Sequence, residues 1–142
     1  MKHSRLQVLY YKNLFLSLKT FKSKGNISVA KPILLMAIIK LIEDRKIMGN
    51  KIIYNDDLIN CYNNIYKTIY KEVITSSVYP FYHLKGELFY TIKGDTSRKT
   101  PSGKFLREKI EYASLDDDLW EMLQNNLIRE EFKEAIIAKY LK

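Results

Sequence analysis

The stretch Pro32-Ile33-Leu34-Leu35-Met36-Ala37-Ile38-Ile39-Lys40-Leu41-Ile42 decides the fold. Proline suits the first helical position, because its missing N–H would go unpaired there anyway. The residues after it are apolar on nearly every side of a helix, and such a helix must be covered by others. Its polar end, Glu43-Asp44-Arg45-Lys46, returns the chain to solvent, and Gly49-Asn50 reads as a turn.

The flanking segments read as that cover. Upstream, Leu6, Leu9, Tyr10, Phe15, Leu16 and Leu18 recur at near-helical spacing and predict a helix from Leu6 to Phe21. Ser23-Lys24-Gly25-Asn26 ends it, with Gly25 as a left-handed stop. Downstream, Asn55-Asp56-Asp57 caps a third helix, whose stripe is Leu58, Ile59, Tyr62, Ile65, Tyr66 and Ile69. After Lys71 the pattern changes. Tyr79-Pro80-Phe81-Tyr82-His83-Leu84 reads as extended, since the residue before proline avoids the helical region. Lys85-Gly86 then turns the chain into Glu87–Ile92, which together predict a hairpin. Lys93 to Gly103 is expected to be a polar, flexible loop, and Phe105 to Tyr112 a further strand. Ser114 should cap another helix, with Asp117 at the capping-box position and Leu119, Trp120 and Leu123 facing inward. Asn125-Asn126 breaks it, and a last helix from about Ile128 buries Phe132, Ile136 and Tyr140. The fold expected is α+β and mainly α-helical: about five helices round the central apolar one, with a small β-hairpin, in a winged-helix-like arrangement. Residues 1–142 form one domain.

Composition narrows the function. The apolar share of 46% and aromatic share of 13% belong to a packed globule. Residues 1–113 hold 20 basic and 9 acidic groups, whereas residues 114–142 hold 4 and 7. A field of one sign over most of the chain attracts polyanions. The single cysteine, Cys61, excludes an internal disulfide and a Cys-rich zinc site, and reads as an inert, buried thiol. The longest apolar run, Pro32 to Ile39, is far below the ~20 residues needed to span a bilayer. No signal peptide precedes it, so a cytoplasmic protein is expected.

Catalytic chemistry is not legible. His3 and His83 are scattered, and the chain has no His-Glu-x-x-His, Cys-x-x-Cys, P-loop or Gly-rich dinucleotide turn. Asp116-Asp117-Asp118 opposes a helix dipole more naturally than it holds a metal. The reading therefore assigns no catalytic residue, no metal and no cofactor, and whether the chain belongs to an enzyme is left open.

Two segments carry binding chemistry. Ala30-Lys31-Pro32-Ile33-Leu34-Leu35 places Lys31 at a positive helix start, a ready anion site. Tyr79-Pro80-Phe81-Tyr82-His83-Leu84 offers aromatic and proline surface beside the basic run Lys93, Arg98, Lys99 and Lys104. Charge with exposed rings suits a phosphodiester backbone.

In this order, about 50 residues apart, the two segments resemble the sulfur-binding domain of McrA-like type IV restriction endonucleases. That family recognises phosphorothioate-modified DNA, and its binding domain is usually followed by an HNH nuclease domain, which would lie beyond Lys142. The resemblance covers about residues 25–140. It implies that Lys31 contacts the modified phosphate and that Tyr79 and Pro80 help wall a pocket for sulfur. Phe81, Tyr82 and His83 complete that segment, and the basic loop holds neighbouring phosphates. Two positions depart from the family pattern: Ala30 stands where histidine is usual, and His83 where a small residue often lines the pocket. The partner expected is double-stranded DNA, with no membrane and a possible homodimer. A winged-helix regulator and a protein–protein interaction module without DNA affinity are the alternatives.

Overall fold

The computed structural model describes residues 4–20, 22–23 and 26–141. Among them the chain forms seven α-helices and two small antiparallel pairs of strands, an α+β and mainly helical fold. The central helix is α2 (Ala30–Glu43), which buries Ala30, Pro32, Ile33, Leu34, Leu35, Ala37, Ile38, Ile39, Leu41 and Ile42. A helix covered on so many sides needs several partners. They are α3 (Asp56–Tyr70), α4 (Val78–His83) and α7 (Asn126–Tyr140), while α1 (Arg5–Phe15) packs on α7. No helix of the described residues is long and apolar enough to cross a membrane.

Helix α3 follows the expected reading closely. The Asn55 side chain accepts from the Leu58 N–H at 3.0 Å, and Asp56 and Asp57 occupy the positive first turn. Its buried face, Leu58, Tyr62 and Tyr66, continues into an edge-to-face row of Tyr62, Tyr66 and Tyr70 rings. Helix α1 stops six residues before Phe21, the expected end, which itself lies outside the described residues, as does Gly25. The physical reason is competition for backbone donors. Leu18 N–H bonds the Tyr140 hydroxyl at 3.2 Å and Lys19 N–H bonds Glu87 at 2.9 Å, so neither continues the helix. Beyond it, β1 (Lys22–Ser23) pairs with β2 (Asn26–Ile27).

The expected hairpin is corrected at both arms. Tyr79–Leu84 is not a strand: it forms α4, which runs on into a 3₁₀ turn at Leu84–Gly86. Pro80 is tolerated because the first turn of a helix has N–H groups without intrahelical partners. Burial of Pro80, Phe81 and Tyr82 overrides the extended preference of the residue before proline. The real strand is β3 (Tyr90–Gly94), and its partner is β4 (Ile110–Leu115), a distant segment. Phe105–Tyr112 likewise divides. Gly103–Lys109 is helix α5, capped by the Ser102 hydroxyl, which accepts from Phe105 N–H at 3.1 Å, and only Ile110 onward is strand. Ser114 therefore caps nothing; it lies in β4 opposite Thr91, and α6 (Asp117–Met122) opens after it. Helix α7 begins before Ile128, capped by Asn125. Ile52 bridges Ala113 through two 2.7 Å hydrogen bonds, adding the Lys51–Ile53 segment to the sheet.

The sheet depends on one glycine. Register shifts between Lys93 and Gly94, and Gly94 takes a φ of +147°. A Cβ there would stand 2.4 Å from the Lys109 carbonyl oxygen and 2.7 Å from the Ile110 Cα. Both obstacles are backbone, so neither can swing aside. We predict that Gly94→Ala lowers stability by more than about 2 kcal/mol through strain and overpacking. Denaturant unfolding checks this, and a change within experimental error would contradict it.

Candidate nucleic-acid interface

The amino end of α2 is not an open anion site. Lys31 Nζ donates to Glu87 Oε2 at 2.8 Å and to the Lys19 carbonyl at 2.7 Å. Glu87 Oε2 also accepts from Lys19 N–H at 2.9 Å. The Lys31 side chain is 13% exposed and that of Glu87 7%. The protein's own carboxylate thus occupies the position expected for a phosphate. Lys31 joins three segments: the end of the α1 region, the start of α2 and the exit of the 3₁₀ turn.

Helix geometry sorts the aromatic segment into buried and exposed groups. Phe81 is wholly buried in the core against Tyr54 and Tyr90, so it has no surface to offer a ligand. Pro80 is buried too. Tyr79 (43% exposed) and His83 are four residues apart, so they share the outer face of α4. Partial burial and the nearby Lys85 and Lys31 charges hold the His83 imidazole below its usual pKa. It is therefore a neutral ring at physiological pH.

Tyr82 is the hinge between this face and the basic loop. Its ring lies under Lys85 Nζ, 4.8 Å from the centroid, and meets the Phe105 ring edge-on at 5.9 Å. Phe105 in turn carries the Arg98 guanidinium 5.1 Å from its centroid. The Tyr82 hydroxyl donates to the Arg98 carbonyl, and burial pushes its pKa up, so it stays a donor. The Asp95 carboxylate accepts from Ser97 N–H at 2.9 Å and from Ser97 Oγ at 2.6 Å, which lowers its pKa. Asp95 N–H reaches the Lys109 carbonyl at 3.0 Å. The loop expected to be flexible is thus tied down at Asp95, Ser97 and Arg98.

The arrangement brings together some of the residues singled out in the sequence. Tyr79 and His83 share the outer face of α4, and the Tyr82–Phe105 pair connects that helix to Arg98, with Lys99 next to it. Lys85, Arg98, Lys99 and Lys104 are exposed and form no ion pair among the described residues. Lys104 stands in the first turn of α5, whereas Lys93 on β3 lies 3.9 Å from Glu111. Two residues escaped the sequence reading. Lys85 passed as a turn residue, but in a helix it follows Tyr82 by three, which is the spacing for side-chain contact. Glu87 carried no signal, since its role depends on a residue 56 positions away. Among the described residues no three His, Cys, Asp or Glu groups are placed to hold a metal ion.

Lys31 therefore has a stability role that can be separated from binding. Lys31→Met leaves Glu87 buried without its cation and should cost about 3–5 kcal/mol. Lys31→Met combined with Glu87→Met should recover most of that loss, as read by a double-mutant cycle in chemical denaturation. A Lys31→Met protein as stable as the parent would contradict the assignment.

No protein-family model matches the chain, and no curated protein matches it. What the chain does is then to be read from this surface.

Proposed function

We propose that the chain is a DNA-recognition module, gripping a duplex backbone through Lys85, Arg98, Lys99 and Lys104 beside the outer face of α4. The observation that carries this reading is the pinned loop. Lys85 and Arg98 are held over aromatic rings, and the backbone of Arg98 is tied to Tyr82. Cations fixed in advance lose less conformational freedom when they meet phosphates than cations on a mobile loop would.

Following the resemblance, the proposal extends to a sulfur-modified backbone within a bacterial restriction system. Sulfur in place of a non-bridging oxygen is larger, softer and less hydrated, so a weakly polar surface beside a cation favours it. The Tyr79 ring and the neutral His83 ring supply such a surface, with Lys85 close by. Lys85 suits the neighbouring-cation role better than Lys31, whose ammonium is closed in by Glu87.

Binding of matched short duplexes, one with a single phosphorothioate and one unmodified, tests this across a salt series. Affinity should fall with salt, and Arg98→Gln with Lys99→Gln should reduce the slope of log K against log[salt] by about 2. Tyr79→Ala should reduce the preference for the modified duplex while leaving that slope unchanged. Absence of any salt-sensitive duplex binding would remove the DNA reading. Equal binding to both duplexes would retain it and remove the sulfur preference.

A further inference from the structure

A second cluster of cations lies where β4 meets α5 and the Lys51–Ile53 segment. An open cleft of about 720 Å³ runs between residues 51–55 and the junction of α5 with β4, and Lys51, Tyr54, Arg107, Lys109 and Tyr112 line it. Strand pairing positions the cleft's Lys51 and, beside the lining, Lys93. Lys93 stands directly opposite Tyr112, and Lys51 precedes Ile52, which bridges Ala113. Both ammonium groups consequently converge on one ring: Lys51 Nζ lies 5.3 Å and Lys93 Nζ 5.8 Å from the Tyr112 centroid. Arg107 stacks over the neighbouring Tyr54 at 5.7 Å.

Two like charges drawn to one ring repel each other, and the ring face offsets that only in part. Their carboxylate partners are weakly placed. Glu111 is 3.9 Å from Lys93 and largely exposed, and Asp56 reaches Arg107 at 3.2 Å from a side chain 85% exposed. Lys51 and Lys109 form no ion pair among the described residues. Counting Glu108, the cleft and its rim set four cations against three carboxylates, and of the two without an ion pair among the described residues Lys51 shares the Tyr112 ring with Lys93. A multiply charged oxyanion beside the Tyr112 ring would be attracted by both ammonium groups and offset their excess charge.

We infer that Lys51, Lys93 and Tyr112 form a second phosphate-binding subsite, with Arg107 at its edge. Its natural occupant is a further phosphate of the same DNA backbone, an identity that rests on the DNA reading. Lys93 precedes Arg98 by five residues, so the proposed subsite and the pinned loop adjoin along the chain.

Inorganic tripolyphosphate tests the subsite without DNA, read by NMR of the folded protein. Saturable shifts are expected at Tyr112 and Lys51, and Lys51→Gln with Lys93→Gln should abolish them. These lysines are exposed, so the double variant keeps the fold. On duplex DNA the same variant should reduce the salt slope by about 2, in addition to the effect of Arg98→Gln with Lys99→Gln. No shift at Tyr112 overturns the subsite whatever the duplex does. An unchanged slope in a protein that binds duplex overturns its role on DNA. Shifts at Tyr112 without any duplex binding would uphold the anion subsite and overturn only the DNA reading.

Discussion

One buried ion pair, neither of whose partners can be removed alone, ties three segments of the structure together. Glu87 takes the Lys31 ammonium and the Lys19 N–H on a single carboxylate oxygen, while Lys31 also holds the Lys19 carbonyl. Burying both charges is costly, and their attraction offsets that cost only when the surrounding hydrogen bonds are made. Here they are. The pair fixes where the central helix begins, where the chain leaves the first helix region, and where the 3₁₀ turn hands over to the sheet. Removing either partner would leave the other charged, buried and without a counter-ion.

From that anchor the aromatic residues build outward. Phe81 packs between Tyr54 and Tyr90, and the Tyr90 hydroxyl donates to the Phe81 carbonyl at 2.6 Å, which fixes α4 on the sheet. With α4 fixed, Tyr82 meets Phe105 on α5, and its hydroxyl sets the path of the loop at Arg98. Surface cations are thereby placed by core packing. The surface proposed to meet DNA takes its rigidity from rings that never reach a ligand.

Much of the helical scaffold was legible because its signals are local. The all-round apolar run at Pro32–Ile42 and the Asn55 cap with its stripe need no distant partner to be read. The failures share one cause, which is that the deciding contacts were remote. Tyr79-Pro80 looked extended by its own preference, and only burial of Pro80, Phe81 and Tyr82 makes it helical. A local hint existed: Ser76 and Ser77 precede the proline as a helix start would, and Ser76 Oγ accepts from Val78 N–H at 3.2 Å. Ser102 before Gly103 was a similar hint for α5. Glu87 had none. As a result the sequence alone points to Lys31 as a ligand contact and to Phe81 as surface, whereas a carboxylate of the same chain closes Lys31 in and Phe81 is core.

The central claim is that the pinned cationic loop and the outer face of α4 touch DNA, while the amino end of α2 stays closed by Glu87. Backbone-amide NMR of the chain titrated with a short duplex tests this most directly. Shifts should concentrate at Tyr79, His83, Lys85, Arg98, Lys99 and Lys104, with the Lys31 and Glu87 signals nearly unmoved. Shifts confined to Ala30–Ile33, with Glu87 released from Lys31, would contradict it.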